Sequence, residues 1–229
     1  MEKREIVNYV KNKNMSLPEY QFNSLQVLVK EPLPENIDIT KVFNDVASLL
    51  PDHFLKLVDV VYVGDFDFLN ERDINALYMD GAIYVSNVQD SNDDMKDDIV
   101  HEVGHALEQH HKQFIYEDGK IENEYFAKIH RLEKTLEYEG HDTNSYEFRN
   151  LEYNPEFDDF LFKEIGYESL ENLTNGLFVS PYSVTSLREY WSTGFEEYFL
   201  GDRLYLKNVC PYINKKLTLL VLDETLYGY

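Results

Sequence analysis

Residues 99–108 read Ile-Val-His-Glu-Val-Gly-His-Ala-Leu-Glu, and no other stretch constrains the chain as tightly. The apolar members Ile99, Val100, Val103, Ala106 and Leu107 recur at helical spacing and suit a helix buried in a core. Two histidines on such a helix need a reason, because a buried imidazole without partners is costly. His101 and His105 are four apart, so they project from one face, one turn above the other. That separation lets two imidazole nitrogens reach a single tetrahedral metal. Glu102 lies about 100° round from His101, where its carboxylate meets a water rather than the metal. This is the HExxH pattern, in which zinc lowers the pKa of a water to about 7 and the glutamate takes its proton as it attacks a carbonyl carbon. The lead-in Ser91-Asn92-Asp93-Asp94 supplies N-cap candidates and negative charge at a helix start, so the helix is expected from about Asp93 to about Phe114.

Composition limits what can surround this helix. The 229 residues, 43% of them hydrophobic, suffice for one large domain with a real core. Lys and Arg number 21 against 43 Asp and Glu, a net charge of −22. Such a field repels phosphate backbones, so nucleic-acid binding is not expected. Cys210 is the sole cysteine, which excludes an intrachain disulfide and a cysteine-based metal site. The first fifteen residues are polar and carry no clear period, with no apolar run of the secretory type. The apolar stretch Leu217 to Leu222 is too short to span a bilayer. A cytoplasmic, monomeric protein without membrane contact is therefore expected.

Strands are predicted at Gln26–Lys30, Leu57–Val63 and Gly81–Asn87, with a helix from Ile39 to about Leu57 that Pro51 splits or kinks. Residues 115–180 read as polar and mostly helical, an insert beside the cleft. A helical block starts near Thr185 and ends at Gly201, and Pro211 opens a terminal helix. Strands in the first half and helices in the second argue for an α+β fold in a single domain over 1–229, divided as 1–114, 115–180 and 181–229.

A metal held by two histidines needs a third protein ligand, leaving a fourth position for water. His111 has the spacing of the third metzincin histidine. Position 108, however, is Glu where that pattern turns the chain on Gly, and all four methionines precede the motif, so no Met-turn can follow it. The alternative is a glutamate on a later helix. Leu187–Leu200 is the downstream stretch that pairs glutamates with dense aromatic residues, and Glu189, Thr193 and Glu196 share one of its faces. The pairs Asp93-Asp94 and Asp97-Asp98 lack the alternating spacing of a calcium loop and read as charges favouring the helix N-terminus.

His101-Glu102-Val103-Gly104-His105, then Tyr182, then Glu189-Tyr190-Trp191 and Phe195-Glu196, resemble the catalytic domains of the anthrax lethal factor-like family, which includes the clostridial Pro-Pro endopeptidases. There a tyrosine precedes the metal-binding glutamate by seven residues, the spacing of Tyr182 and Glu189. The resemblance covers His101–Glu108 and Tyr182–Leu200 well and the first half only in outline. It implies a zincin-like metallopeptidase fold of gluzincin type, with His101, His105 and Glu189 as zinc ligands, Glu102 as general base and Tyr182 as donor to the oxyanion. Thr193 departs from the family, whose members often carry an acidic residue there, and this implies different or weaker support behind the ligands. The expected activity is zinc-dependent endoproteolysis of a protein or peptide substrate. The alternative is a zinc-holding binding or structural module with little turnover. The strand Gly81–Asn87 is expected as the sheet edge that pairs with an extended substrate.

Overall fold

The computed structural model describes residues 17–222, so the polar stretch at the start of the chain lies outside the described residues. Five strands form one mixed sheet: β1 (Glu19–Phe22), β2 (Leu25–Val29), β3 (Val60–Gly64), β4 (Ala76–Met79) and β5 (Ala82–Ser86), in the spatial order β1-β2-β3-β5-β4. β2, β3 and β5 run parallel, and the two outer strands are antiparallel to their neighbours. The fold is α+β, with the sheet in the N-terminal half and helices dominating the rest.

Local chemistry accounts for these elements. α1 (Ile39–Leu49) buries Ile39, Val42, Phe43 and Val46 and is capped by Asp38, whose carboxylate accepts from Lys41 N at 3.1 Å. Leu50 is extended, as a residue before proline is forced to be, so Pro51 ends α1 and the chain restarts as the short α2 (Asp52–Leu55). The predicted strands 26–30, 57–63 and 81–87 appear as β2, β3 and β5, with ends moved by up to three residues.

β1 and β4 lie outside the three predicted strands, and each joins its neighbour through a two-residue hairpin. Asp80 and Gly81 both have positive φ, 54° and 86°, as a type I′ turn demands. This hairpin corrects the expected edge. Gly81–Asn87 forms β5, which is flanked by β3 on one side and β4 on the other. The free edge on that side of the sheet is β4, because the Asp-Gly turn folds a further antiparallel strand onto β5.

The inner face of the sheet, with Val27, Val61, Val63, Ile83 and Val85 fully buried, packs against α1 and α4 (Asn92–Tyr116). Tyr62, Phe66 and Tyr84 line the opposite face with the short α3 (Asp67–Asn70). α4 begins at Ser91, whose hydroxyl accepts from Asp94 N at 3.1 Å, and leaves helical geometry at His111 (φ −119°, ψ 19°).

The segment expected as an insert divides into two parts. α5 (Lys120–Glu139) belongs to the core, burying Ile121, Tyr125, Ile129, Leu132 and Leu136. The remainder, α6 (Pro155–Asp159), a π-helical turn (Phe160–Gly166) and α7 (Tyr167–Thr174), follows as a separate run. A 3₁₀ turn (Pro181–Val184) then leads into α8 (Leu187–Leu200), α9 (Arg203–Val209) and α10 (Pro211–Leu222). Among the described residues no helix is long and apolar enough to cross a membrane.

Candidate metal centre

Close packing of α4 on α8 builds the site. Gly104, the fourth residue of the motif, lies where an added Cβ would come within 3.2 Å of the Phe195 side chain, so its missing side chain is what lets the helices approach. Trp191, fully buried, donates from Nε1 to the Gly104 carbonyl at 3.0 Å. A helix-interior carbonyl with a second lone pair accepts this bond without losing its own helical partner. Phe195, Trp191 and Tyr190 thus face the core and turn the remaining face of α8 toward the histidines.

That face carries Glu189. Ser186 caps α8 by accepting from Glu189 N at 3.1 Å, and Ser-x-x-Glu is the signature of a capping box. In such a box the glutamate carboxylate would reach back to the cap. Here it extends to α4 instead, with Oε2 3.0 Å from His101 Nε2 and 3.4 Å from His105 Nε2. Zinc takes imidazole nitrogen and carboxylate oxygen at about 2.0–2.2 Å in a tetrahedral array, which sets ligand atoms about 3.3–3.6 Å apart. The two distances from the Glu189 oxygen are therefore close to the ligand–ligand spacing of a tetrahedral zinc. His101, Glu102 and His105 also offer ligand atoms that all lie within 4.8 Å of one another.

The far nitrogens of both histidines are engaged as well. Ser192 Oγ, fully buried, lies 2.8 Å from His105 Nδ1, and Glu196 Oε2 lies 3.3 Å from His101 Nδ1. Either acceptor suits an Nδ1–H tautomer, which leaves the Nε2 lone pair for a metal. One contact opposes this at His105. Arg188 Nε, an obligate donor, lies 3.0 Å from the same Nδ1, which requires that nitrogen bare and the hydrogen on Nε2. Ligation through Nε2 calls for the other tautomer, with Nδ1–H donated to Ser192 and Arg188 turned to the Glu108 carboxylate, already 3.5 Å away. The Arg188 side chain is 45% exposed and free to make that turn.

Glu102 is buried, and its Oε2 accepts from the backbone N–H of Tyr78 at 2.5 Å. The edge strand β4 thus holds one oxygen of the proposed base. Tyr182 sits on the 3₁₀ turn, 37% exposed as a whole residue, with its ring centroid 6.2 Å from that of His101. Burial, reinforced by the charges of Glu189 and Asp158, pushes its phenol far above the ordinary tyrosine range, so it remains an O–H donor. The loop before α6 is tied to the start of α8. Leu187 N donates to Leu151 O at 2.9 Å, and Tyr153 donates to Asp158 at 2.7 Å.

The structure brings His101, Glu102, His105, Glu189 and Tyr182 into one corner of the fold. His111 stands apart at the kink of α4, where burial and the nearby His110 and His53 lower its pKa. Thr193 is not aimed at the histidines: its hydroxyl donates to Glu189 O at 2.7 Å and meets Ser183 Oγ at 2.7 Å, bracing the turn that carries Tyr182. The polar contacts at the far nitrogens of the histidines come instead from Ser192 and Glu196. Asp93 and Asp94 occupy the first turn of α4 as expected, whereas Asp98 bonds Gln89 Nε2 at 3.0 Å and is raised to about 6 by its burial. Ser192, Arg188 and the Tyr78 amide were not singled out in the sequence, and only Ser192 left a trace there, one turn beyond Glu189.

No protein-family model, curated protein or solved structure matches this chain.

In the metal-free site, burial draws the His101 pKa down, but hydrogen bonds to the Glu189 and Glu196 carboxylates outweigh it and hold the group at about 10. A raised folded-state value stabilises the metal-free protein fully below the unfolded value of about 6.5, and the gain is lost as pH rises through about 10. A metal must displace that proton. Apparent zinc affinity, measured by chelator competition, is expected to tighten about tenfold per unit between roughly pH 7 and pH 9; a flat profile would show that no proton leaves.

Proposed function

We propose that the chain is a zinc-dependent metalloendopeptidase of gluzincin type on a zincin-like fold, with His101, His105 and Glu189 as ligands. The observation that carries this reading is the Glu189 carboxylate oxygen at 3.0 and 3.4 Å from the two histidine Nε2 atoms. Spacing on one helix explains why the histidines are neighbours. It does not explain why a glutamate eighty-odd residues away leaves its capping position to meet both of them.

Bound zinc would supply Lewis acidity, lowering the pKa of a water and polarising a substrate carbonyl. The protein's own groups do the rest. Glu102 takes the proton of the attacking water and passes it to the leaving amine. Its position is set by the Tyr78 N–H, which holds one carboxylate oxygen and leaves the other to act. Tyr182 donates its phenol to the oxygen that gains charge as the carbonyl becomes tetrahedral.

The edge strand β4 gives the substrate its place. Leu77 and Met79 face β5 in the ladder, while Tyr78 N points the other way, toward Glu102. By the alternation of a strand, Ala76 presents its N–H and C=O to the same open side. An extended peptide pairing there lies alongside the base, as in recognition by β-augmentation.

The reading predicts about one zinc per chain and cleavage within a broad peptide library, lost on chelation and restored by zinc. Glu102→Ala lowers kcat by at least about a thousandfold with zinc retained. Tyr182→Phe lowers kcat by roughly 10²–10³ with KM little changed. If wild-type protein holds zinc but cleaves nothing, the chain is a zinc-holding module. Ala76→Pro removes one outward N–H without breaking the ladder to β5 and is expected to raise KM about tenfold or more. An unchanged KM rejects pairing at this edge.

A further inference from the structure

Glu196 stands seven residues after Glu189 on α8. Seven steps of 100° end within about 20° of two full turns, so both glutamates rise from one line on the helix, about 10.5 Å apart along its axis. Their carboxylates close on the same imidazole from opposite sides, Glu189 at Nε2 and Glu196 at Nδ1. Among the described residues, His101 is the hydrogen-bonding partner of the Glu196 carboxylate. The location is electrostatically poor for an acid. Asp97 and Asp98 lie close by; burial raises both of their pKa values, and the charge of Glu196 raises them further. A third carboxylate in that position repels its neighbours unless His101 offsets the cost.

Resting on the zinc reading above, we propose that Glu196 is the outer carboxylate of the metal centre, a positioning residue that fixes His101 as the Nδ1–H tautomer with Nε2 aimed at zinc. Position 193 cannot do this, since Thr193 is committed to Glu189 O and Ser183. One helix thereby supplies a ligand through Glu189 and the supports of both histidines, Ser192 behind His105 and Glu196 behind His101. The carboxylate is partly exposed, with 38% of the side chain accessible, so it orients the ring without carrying the fold.

The readout must separate metal retention from proton competition. Equilibrium affinity mixes the two, since protons and zinc compete for the same ring nitrogens. The rate at which zinc leaves the loaded protein is free of this effect. Zinc release into excess chromophoric chelator is measured for wild type, Glu196→Ala, Glu196→Gln and, as a control, Glu197→Ala, which removes a carboxylate of the same helix that bonds Asp202 N instead. Loss of an outer partner typically costs 10–100-fold, so Glu196→Ala is expected to release zinc about 10–100-fold faster. Glu196→Gln, whose amide oxygen still accepts from Nδ1–H, recovers part of the difference or all of it, and Glu197→Ala stays within about threefold of wild type. In the zinc-loaded wild type, ¹⁵N-resolved NMR of the His101 ring shows a protected Nδ1–H, and Glu196→Ala loses the protection. Wild-type release from Glu196→Ala, or equal acceleration in Glu197→Ala, overturns the proposal and leaves the zinc reading standing. Failure of wild-type protein to take up zinc overturns both. Should the alanine variant unfold, the ring spectrum of the zinc-loaded wild type decides: an unprotected Nδ1–H on His101 rejects the role.

Discussion

The contact of Gly104 with Phe195 is the constraint on which the rest of the structure depends. A side chain at position 104 would meet the Phe195 ring within 3.2 Å, and the displacement would pass directly into α8. The Trp191 bond to the Gly104 carbonyl fixes the rotation of α8 as well as its distance. With both fixed, Glu189, Ser192 and Glu196 have only one place to go. The proposed ligand set thus comes from the rigid packing of two helices, an arrangement that holds functional groups more accurately than loops do.

α8 is held from behind by α5. Tyr190 donates to Glu124 at 2.6 Å, and Tyr125 donates to Val184 O at 2.8 Å, under the 3₁₀ turn of Tyr182. Lys128, almost fully buried, donates to Val209 O at 2.7 Å and to Cys210 Sγ at 3.2 Å, with its ammonium 4.9 Å from the Tyr190 ring centroid. A buried ammonium satisfied by a carbonyl, a sulfur and a ring face avoids the cost of an unpaired charge. The one cysteine therefore has a packing role here. The polar stretch after the motif helix thus contributes a structural support through α5.

What could be read from the sequence was local. The motif helix, the Pro51 break, the three longest strands and the terminal helix at Pro211 each announce themselves within a few neighbouring residues. β4 was harder, because four residues between polar flanks show no period, although Asp80-Gly81 is a strong hairpin signal. Overlooking it moved the open edge one strand inward. The outer supports of the histidines were hardest. Glu189, Thr193 and Glu196 share a helical face, and spacing alone does not say which of them meets Nε2, which meets Nδ1 and which turns back to its own helix. That assignment follows from the rotation of α8 against α4, a contact between segments about 90 residues apart in the chain.

The most direct test of the account is anomalous diffraction from zinc-soaked crystals, recorded on either side of the zinc absorption edge. The expected result is one anomalous peak about 2.0–2.2 Å from His101 Nε2, His105 Nε2 and a Glu189 carboxylate oxygen, with a fourth direction open toward Glu102 and β4. No peak between α4 and α8, or a peak held instead by His110 and His111 beyond the helical part of α4, would contradict it.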